Sequence, residues 1–504
     1  MKKSTLIKGT IVLTAAGLLT RMIGFVYRIF LSNTLGAEQL GIYQLIFPVY
    51  GICHTLYASG IQTAVSKLVA ETNNSHEKNS SSRRILFCGA ALSFCLALTL
   101  SVLLYFNADM VASVLLKEEA CAPSLRILSF IFPFCGVTSC INGYNYGRSK
   151  STLPACTQIV EQLVRVGTVF LAVSFSEDIA VSCELAIFGV LTGELASNLI
   201  SVLSLLPGRN LSVFSGLFSV PVQLSNTLHT LVTLAAPLTL NRLLLSLLHS
   251  FEAIIIPTLL RKSGLTQSEA LSSYGVLNGM ALPFVYFASA ITNALAVLLL
   301  PAISEQDSSH DHRRIALTVE RSVSVTLLLG IFCNFLFLFF GASLGTVVFH
   351  NPQAGGYIRI LSCLCPFLYL TTTLSSILNG LGKTLTTFIT SLTGSVLRIA
   401  LLYFLVPNSG MEGCFVALLL SQLVLCACEL ILVHRYTDFH LNVYRTLLLP
   451  ALSASMISFL CHRAYLLFSD RHVIAELPLL LGSCSVYTFT YLFLPIRLLM
   501  QNKR

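Results

Sequence analysis

Residues 126–134 read RILSFIFPF, and residues 359–367 read RILSCLCPF. The same ungapped spacing of 233 residues also aligns Thr138 with Thr371, Gly147 with Gly380, Lys150 with Lys383, and Arg165 with Arg398. Closer to the start, Leu19-Thr20-Arg21 resembles Leu240-Asn241-Arg242 once a longer loop near 261–271 is allowed. Agreement of this kind indicates an internal duplication, so two stretches of the chain are expected to fold alike.

The composition around this repeat is that of a membrane protein. Hydrophobic residues make up 55% of the 504 residues and charged residues 11%, whereas soluble domains carry about 25% charged residues. Apolar segments of the length that crosses about 30 Å of hydrocarbon as a helix recur along the whole chain. The sequence therefore predicts an all-α membrane protein with about 14 transmembrane helices. They are expected near residues 9–32, 38–66, 85–106, 124–146, 153–175, 182–206, 225–250, 272–302, 316–341, 358–380, 385–406, 411–434, 446–468 and 476–498.

The repeat divides these helices into sets. Its period is six helices, an even number, so both copies enter the membrane from the same side as parallel repeats. We expect a six-helix lobe at 1–210, a second six-helix lobe at 211–440 and an additional helix pair at 441–504. Transporters built from parallel repeats bind substrate between the halves and rock them for alternating access.

The basic residues predict the orientation. With the N-terminus inside, cytoplasmic segments hold seventeen lysines and arginines, and outer segments hold only Lys117, Arg261, Lys262 and Arg471. The positive-inside bias therefore favours a plasma-membrane protein with both termini in the cytoplasm. Because these charges are spread over many short loops on one side, they do not form the basic patch of a nucleic-acid-binding protein.

Motifs for catalysis or cofactors are not apparent. Gly382-Lys383-Thr384 approaches a phosphate-binding loop, but Ile377 stands where its first glycine belongs. The sixteen cysteines are scattered through apolar runs without the CxxC pairs and histidines of a zinc site. We expect no enzymatic activity, no cofactor and no metal site, and the energy source for transport stays open among an ion gradient, the membrane potential, the substrate's own gradient and a partner.

Charged residues inside predicted spans are the candidate substrate-binding residues. A central arginine costs roughly 2.5–3.5 kcal/mol on insertion scales. Arg21 and Arg28 are seven residues apart and lie nearly on one helix face. Glu161 and Arg165, with the acid first, have the spacing of a favourable helical pair. This pair is either part of the site or a structural pair between helices.

Further candidates lie in the second half, where Arg242 and Arg398 fall inside predicted helices; Arg398 could instead extend to the membrane interface. Glu194 is a second acid in the first half. Five arginines against two acids leave a positive excess, and guanidinium groups bind phosphate through paired hydrogen bonds. The inferred cavity suits an anionic substrate.

Several motifs resemble one known family. The stretch 7-IKGTIVLTAAGLLTRMIGFVYRIFLSNTLGAEQLGIYQL, with 65-VSKLVAE, 160-VEQLVRVG and 192-TGELAS, is similar to the stage V sporulation protein B family. That family belongs to the multidrug/oligosaccharidyl-lipid/polysaccharide exporter superfamily, which includes the lipid II flippases. The resemblance implies outward movement of a lipid-linked precursor for spore cortex peptidoglycan. It also implies that Arg21 and Arg28 match cationic residues that face the cavity in lipid II flippases.

Three functions are consistent with these sequence features. The first is a flippase for a polyprenyl-pyrophosphate-linked oligosaccharide, with the lipid bilayer and possible cell-wall synthesis enzymes as partners. The second is an exporter of drugs or organic cations, which needs a cavity rich in acids. The third is a non-transporting scaffold for cell-wall synthesis. The excess of arginines favours the first.

Overall fold

The computed structural model describes residues 3–72, 78–175, 182–205, 221–469 and 476–500. Every element in these ranges is a helix. The chain forms two compact units, Met1–Thr258 and Leu259–Arg504. The predicted lobes at 1–210 and 211–440 and the predicted pair at 441–504 follow from the sequence repeat, and they remain a prediction.

The described residues of the first unit form eight main helices. They are α1 (Lys3–His54), α2 (Gly60–Thr72), α3 (Lys78–Phe106), α4 (Ala122–Ser129), α5 (Ile131–Gly147), α6 (Thr152–Phe175), α7 (Cys183–Leu203) and α8 (Pro221–Lys262), the last of which continues into the second unit. A π-helical turn at Thr55–Ser59 joins α1 to α2. A π-helical turn contains one more residue between hydrogen-bonded groups than an α-helical turn does. Some backbone groups are therefore left available to other partners.

Eight main helices are also found in the part of the second unit that the structure describes. They are α9 (Gln267–Gly275), α10 (Leu282–Ser308), α11 (His312–Phe349), α12 (Pro352–Leu361), α13 (Cys365–Gly380), α14 (Thr384–Thr437), α15 (Leu449–Ser469) and α16 (Glu476–Met500). A π-helical turn at Val276–Ala281 joins α9 to α10. Each unit therefore contains a π-helical turn inside a long helical segment, but the two turns are not at the 233-residue spacing of the repeat.

Ten helical segments among the described residues are long and apolar enough to cross a membrane, or eleven when the bent pair around Phe130 is counted as one span. The 52 residues of α1 are interrupted at Gly36, which has a positive φ of 77°, and the 54 residues of α14 at Gly410, with φ 56°. An unbroken helix of that length would measure about 80 Å, more than twice the hydrocarbon thickness. The chain is thus a multi-pass helical membrane protein, and the number fourteen remains a prediction.

The duplicated stretches have matching backbones. Lys117 and His350 both adopt the left-handed conformation. The next residue then donates to a carbonyl six positions back, Glu118 to Ala112 at 2.9 Å and Asn351 to Gly345 at 3.2 Å. The spacing is again 233 residues, so the sequence duplication corresponds to a duplication of local structure.

The RILS stretch interrupts the regular α-helix in each copy. In the first unit, Glu119–Ser129 and Ile131–Gly147 meet at 47°. Pro133 has no N–H, so the Ser129 carbonyl has no helical partner and the helix breaks at Phe130. In the second unit Pro366 stands in the same place, and a 3₁₀ turn, Ser362–Leu364, separates α12 from α13.

The last two helices pack on α11. Tyr487 and Tyr491 of α16 donate to the carbonyls of Phe332 at 3.1 Å and Leu328 at 3.3 Å, and the Phe332 ring stacks on Tyr487. Buried tyrosines with a satisfied hydroxyl anchor one helix to another inside an apolar environment. The chain ends and some of the basic residues that predicted the orientation, Arg209 and Arg471 among them, lie outside the described residues.

Candidate functional site

The first unit contains the predicted pair of opposite charges. Arg165 donates to Glu161 at 2.7 Å, one turn earlier in α6. Both side chains are mostly buried, with relative exposures of 18% and 22%. The Nε atom of Arg165 is buried and has no hydrogen-bond partner within the described residues. The pair is therefore an internal ion pair whose arginine keeps unused donor capacity.

Helix α7 approaches this pair closely through a glycine. A Cβ atom built on Gly193 would stand 2.6 Å from the Glu161 carbonyl oxygen and 3.3 Å from the Arg165 Cβ. The next residue, Glu194, is 7% exposed, and its Oε1 atom is buried without a hydrogen-bond partner in the described part of the chain. A second acid thus lies inside the unit, on the helix that packs against the ion pair.

Helix α1 carries the two arginines that the sequence places on one face. Arg21 and Arg28 are both exposed, and seven residues of helix separate them by about 10 Å along the axis. Arg21 forms no hydrogen bond or ion pair with the residues that the structure describes. Met22 and Val26 beside them are also exposed, at 55% and 65%. Arg21 therefore projects from an apolar stretch of α1, whereas Arg28 interacts electrostatically with its surroundings.

Arg242 contacts the π-helical turn that follows α1. Its Nη1 atom donates to both the carbonyl and the hydroxyl oxygen of Ser59, each at 2.7 Å. Ser59 ends the π-helical turn between α1 and α2. Next to it, a Cβ atom on Gly60 would overlap the Thr239 hydroxyl and stand 3.0 Å from the Ala235 carbonyl oxygen of α8. Arg242 therefore stabilises a close crossing of α2 and α8, and its charged group is hydrogen-bonded to neutral oxygen atoms.

Arg398 lies in the second unit and has neutral hydrogen-bond partners. Its Nε atom donates to the Ser421 hydroxyl at 3.0 Å and its Nη2 atom to the Gln422 amide oxygen at 3.4 Å. Gln422 in turn donates to the Thr371 hydroxyl at 2.9 Å. Arg398 thus links the two parts of α14 on either side of Gly410.

Sequence reasoning missed three buried acids, Glu118, Glu252 and Glu429, of which Glu429 is the most deeply buried. Glu429 of α14 is 0% exposed and accepts from the Ser375 hydroxyl at 2.8 Å. It stands in the predicted helix 411–434 within the apolar run LVLCACELILV. A single acid in such a run is a detectable signal, and it changes the balance of buried charge in the second unit.

The fold resembles that of membrane transporters of known structure. A lipid II flippase, MurJ, in an inward closed conformation superimposes with a TM-score of 0.69 at 14% identity, covering 98% of this chain and 99% of that chain. An inward-facing multidrug MATE transporter of the MOP superfamily gives a TM-score of 0.67 at 13% identity, over 85% of this chain and 98% of that chain. At these identities the likeness establishes the fold of this transporter class.

The family follows from sequence comparison. The model described as "Polysaccharide biosynthesis protein" matches residues 6–306, and the MatE model matches residues 243–404. The first match covers more than half of the 504 residues, and the chain therefore belongs to the polysaccharide biosynthesis protein family. It is a multi-pass member of the superfamily of flippases and exporters.

Curated relatives agree with the resemblance that the motifs carry. The chain is 27% identical to Stage V sporulation protein B of Bacillus subtilis (strain 168) over 432 residues, 84% of this chain and 82% of that protein. It is 22% identical to the Lipid II flippase MurJ of the same organism over 491 residues, 90% of this chain and 87% of that protein. The predicted resemblance to the stage V sporulation protein B family is confirmed.

Proposed function

We propose that this protein is a flippase that moves a polyprenyl-pyrophosphate-linked cell-wall oligosaccharide from the inner to the outer leaflet of the plasma membrane. The proposal places both termini in the cytoplasm and assigns the product to peptidoglycan of the spore cortex. Cell-wall synthesis enzymes are the expected partners. The relatives named for sporulation and for lipid II support this assignment.

The observation that carries the proposal is the exposed Arg21 side chain in an apolar helix. An arginine at membrane depth is costly unless a charged ligand or water compensates it. A pyrophosphate offers several anionic oxygens to a planar guanidinium, which binds them through paired hydrogen bonds. Arg28 on the same face would extend the contact along the substrate.

The remaining predicted residues have different parts in this proposal. Arg165 is neutralised by Glu161, while Arg242 and Arg398 keep their charges among neutral oxygens. We assign Arg21 and Arg28 to direct contact with the pyrophosphate. Glu161, Arg165, Arg242 and Arg398 remain proposed contributors to substrate binding through the electrostatic field that they add.

The organic-cation exporter is less well supported. Such a protein needs a carboxylate that a cation can reach, yet Glu161 is paired with Arg165, and Glu194 is buried at 7% exposure. Resistance to cationic dyes on expression would favour this alternative. Full function after neutralisation of all five arginines would instead favour the scaffold.

The test is complementation of cells depleted of their lipid II flippase, scored by the surface accessibility of labelled lipid II. We expect rescue by the wild type and by Arg21→Lys to a lesser extent, and loss of rescue by Arg21→Ala at equal protein level. Arg126→Ala is the matched control, because Arg126 is exposed and pairs with Asp109 at 2.6 Å outside the proposed contact. Full rescue by Arg21→Ala would refute the cationic mechanism, and failure of the wild type would direct the search to another lipid-linked glycan.

A further inference from the structure

Glu429 is a fully buried carboxyl group in the second half of α14. Its Oε1 atom accepts hydrogen bonds from the Ser375 hydroxyl at 2.8 Å and the Thr390 hydroxyl at 3.4 Å. Its Oε2 atom is buried and has no hydrogen-bond partner within the described residues. Ser375 belongs to α13 and Thr390 to the first half of α14, so three helical segments converge on this one group.

A basic partner for this carboxyl group is missing from the part of the chain that the structure describes. Arg398 on the first half of α14 is engaged by Ser421 and Gln422, and Gln422 is two turns away from Glu429. Lys383, at the start of the same helix, lies over the Tyr436 ring at 5.0 Å.

The other titratable groups on the surrounding helices do not supply a counter-charge either. Cys426 lies one turn before Glu429 in the same apolar core. On α11, which also packs against this core, Glu320 and Arg321 are partly or fully exposed. None of these groups forms an ion pair with Glu429 among the described residues.

This environment selects between two protonation states. An ionised carboxylate in an apolar interior is very unfavourable without a counter-charge, whereas two hydroxyl donors on Oε1 stabilise the ionised form in part. A carboxyl group held between these opposing effects can take up and release a proton. Three side chains offer too few oxygen ligands for Ca²⁺, which takes six to eight.

The duplication indicates that this acid is not needed for packing alone. At the spacing of 233 residues, Glu429 corresponds to Ala196, Ser375 to Asn142, and Thr390 to Thr157. The first copy repeats the left-handed turn and the helix break before the proline, yet it has a methyl group in place of the carboxyl group. The two copies therefore differ at this position, although the first unit has its own buried acid, Glu194, two residues earlier.

We propose that Glu429, together with Ser375 and Thr390, forms a proton-binding site in the second unit. The proposal goes beyond the flippase function, because it names a ligand that the substrate assignment leaves open. Proton uptake at Glu429 would remove a buried charge, and proton release would restore it.

The experiment uses a hydrophobic carbodiimide, which modifies protonated carboxyl groups in apolar surroundings. The purified full-length protein in detergent is labelled over a pH series, and peptides are quantified by mass spectrometry. We expect modification of Glu429 to rise as the pH falls and to be lost in Glu429→Gln. The double variant Ser375→Ala/Thr390→Val should move the midpoint upward by roughly one pH unit, because a hydrogen bond to a charged group is worth about that much.

Two controls keep the result specific. Thr372 lies on the same helix as Ser375, and its hydroxyl donates to the Leu368 carbonyl at 3.1 Å. Thr372→Val removes this hydroxyl and should leave the midpoint unchanged. Glu194→Gln removes a buried acid of the other unit and should leave the Glu429 profile unchanged. If Glu429→Gln fails to fold, the hydroxyl variants still measure the midpoint.

Several outcomes would overturn the proposal. Absence of Glu429 modification at every pH, or modification that does not vary with pH, would show that the group does not titrate. Protection by Na⁺ at constant pH would show a cation site in place of a proton site. Because the readout needs no transport, failure of this proposal is distinguishable from failure of the flippase assignment.

Discussion

Arg165 donates a hydrogen bond to Glu161 across 2.7 Å, and Gly193 of the neighbouring helix lies directly against the backbone of both residues. The ion pair therefore lies at a close contact between α6 and α7. The spacing of four residues predicted the pair, but the sequence left open whether it binds substrate or stabilises the fold. The following variants separate these two roles.

Removing one member of the ion pair should destabilise the protein more than removing both. Glu161→Gln leaves a mostly buried guanidinium without its counter-charge, and we expect the free energy of unfolding to fall by about 2–4 kcal/mol. The double variant Glu161→Gln/Arg165→Gln should recover part of this loss. Thermal unfolding of the purified protein in detergent measures both, and equal stability of the single variant and the wild type would contradict the assignment.

The close approach of α7 to α6 should not tolerate a side chain at residue 193. Gly193→Ala places its Cβ against the Glu161 carbonyl oxygen, a backbone atom that cannot move away cheaply. Overpacking of this kind costs about 1–3 kcal/mol. Gly167→Ala on α6 is the matched control, since nothing lies within 4 Å of its Cβ position. We expect a lower melting temperature for Gly193→Ala only, and an unchanged value would show that the helices can separate.

Much of the fold could be predicted from the sequence, because apolar length and period are local properties. The duplication at RILS predicted that the two stretches fold alike, and in both of them the regular α-helix is interrupted just before a proline, Pro133 or Pro366. The number of spans does not equal the number of helices, because α1 and α14 are each interrupted only at a single glycine. Boundaries of that kind depend on one residue's backbone angles.

The candidate site was only partly predictable. The Glu161–Arg165 pair follows from spacing on one helix, whereas the contact of Arg242 with Ser59 joins residues 183 positions apart. No local pattern indicates that contact, because it depends on the π-helical turn and on the close crossing at Gly60. Glu429 was within reach of the sequence, but its significance depends on burial and on hydroxyl donors from two other segments.

Arg242 and Arg21 should respond differently to truncation. Arg242→Ala removes the donor to the Ser59 carbonyl and hydroxyl, so we expect a loss of about 1 kcal/mol in stability along with reduced flipping. Arg21→Ala should reduce flipping at unchanged melting temperature, because Arg21 makes no hydrogen bond within the described residues. Measuring the melting temperature and lipid II accessibility of both variants in parallel distinguishes the two roles. A stable but inactive Arg242→Ala protein would instead indicate direct substrate contact.

The duplication offers a reciprocal exchange at the turns that follow α5 and α13. Ser149 and Gly382 are equivalent and both have positive φ, 58° and 74°. After each of them, a lysine donates to a carbonyl five positions back, Lys150 to Asn145 at 2.8 Å and Lys383 to Leu378 at 2.9 Å. The left-handed conformation costs a residue with a side chain roughly 1 kcal/mol and is nearly free for glycine. Ser149→Gly should therefore raise the free energy of unfolding by up to about 1 kcal/mol, and Gly382→Ser should lower it by a similar amount. Thermal unfolding of the two variants and of the double exchange tests this relation. The double exchange should be close to the wild type, and a destabilised Ser149→Gly protein would mean that the serine stabilises its turn by contacts that outweigh the backbone conformation.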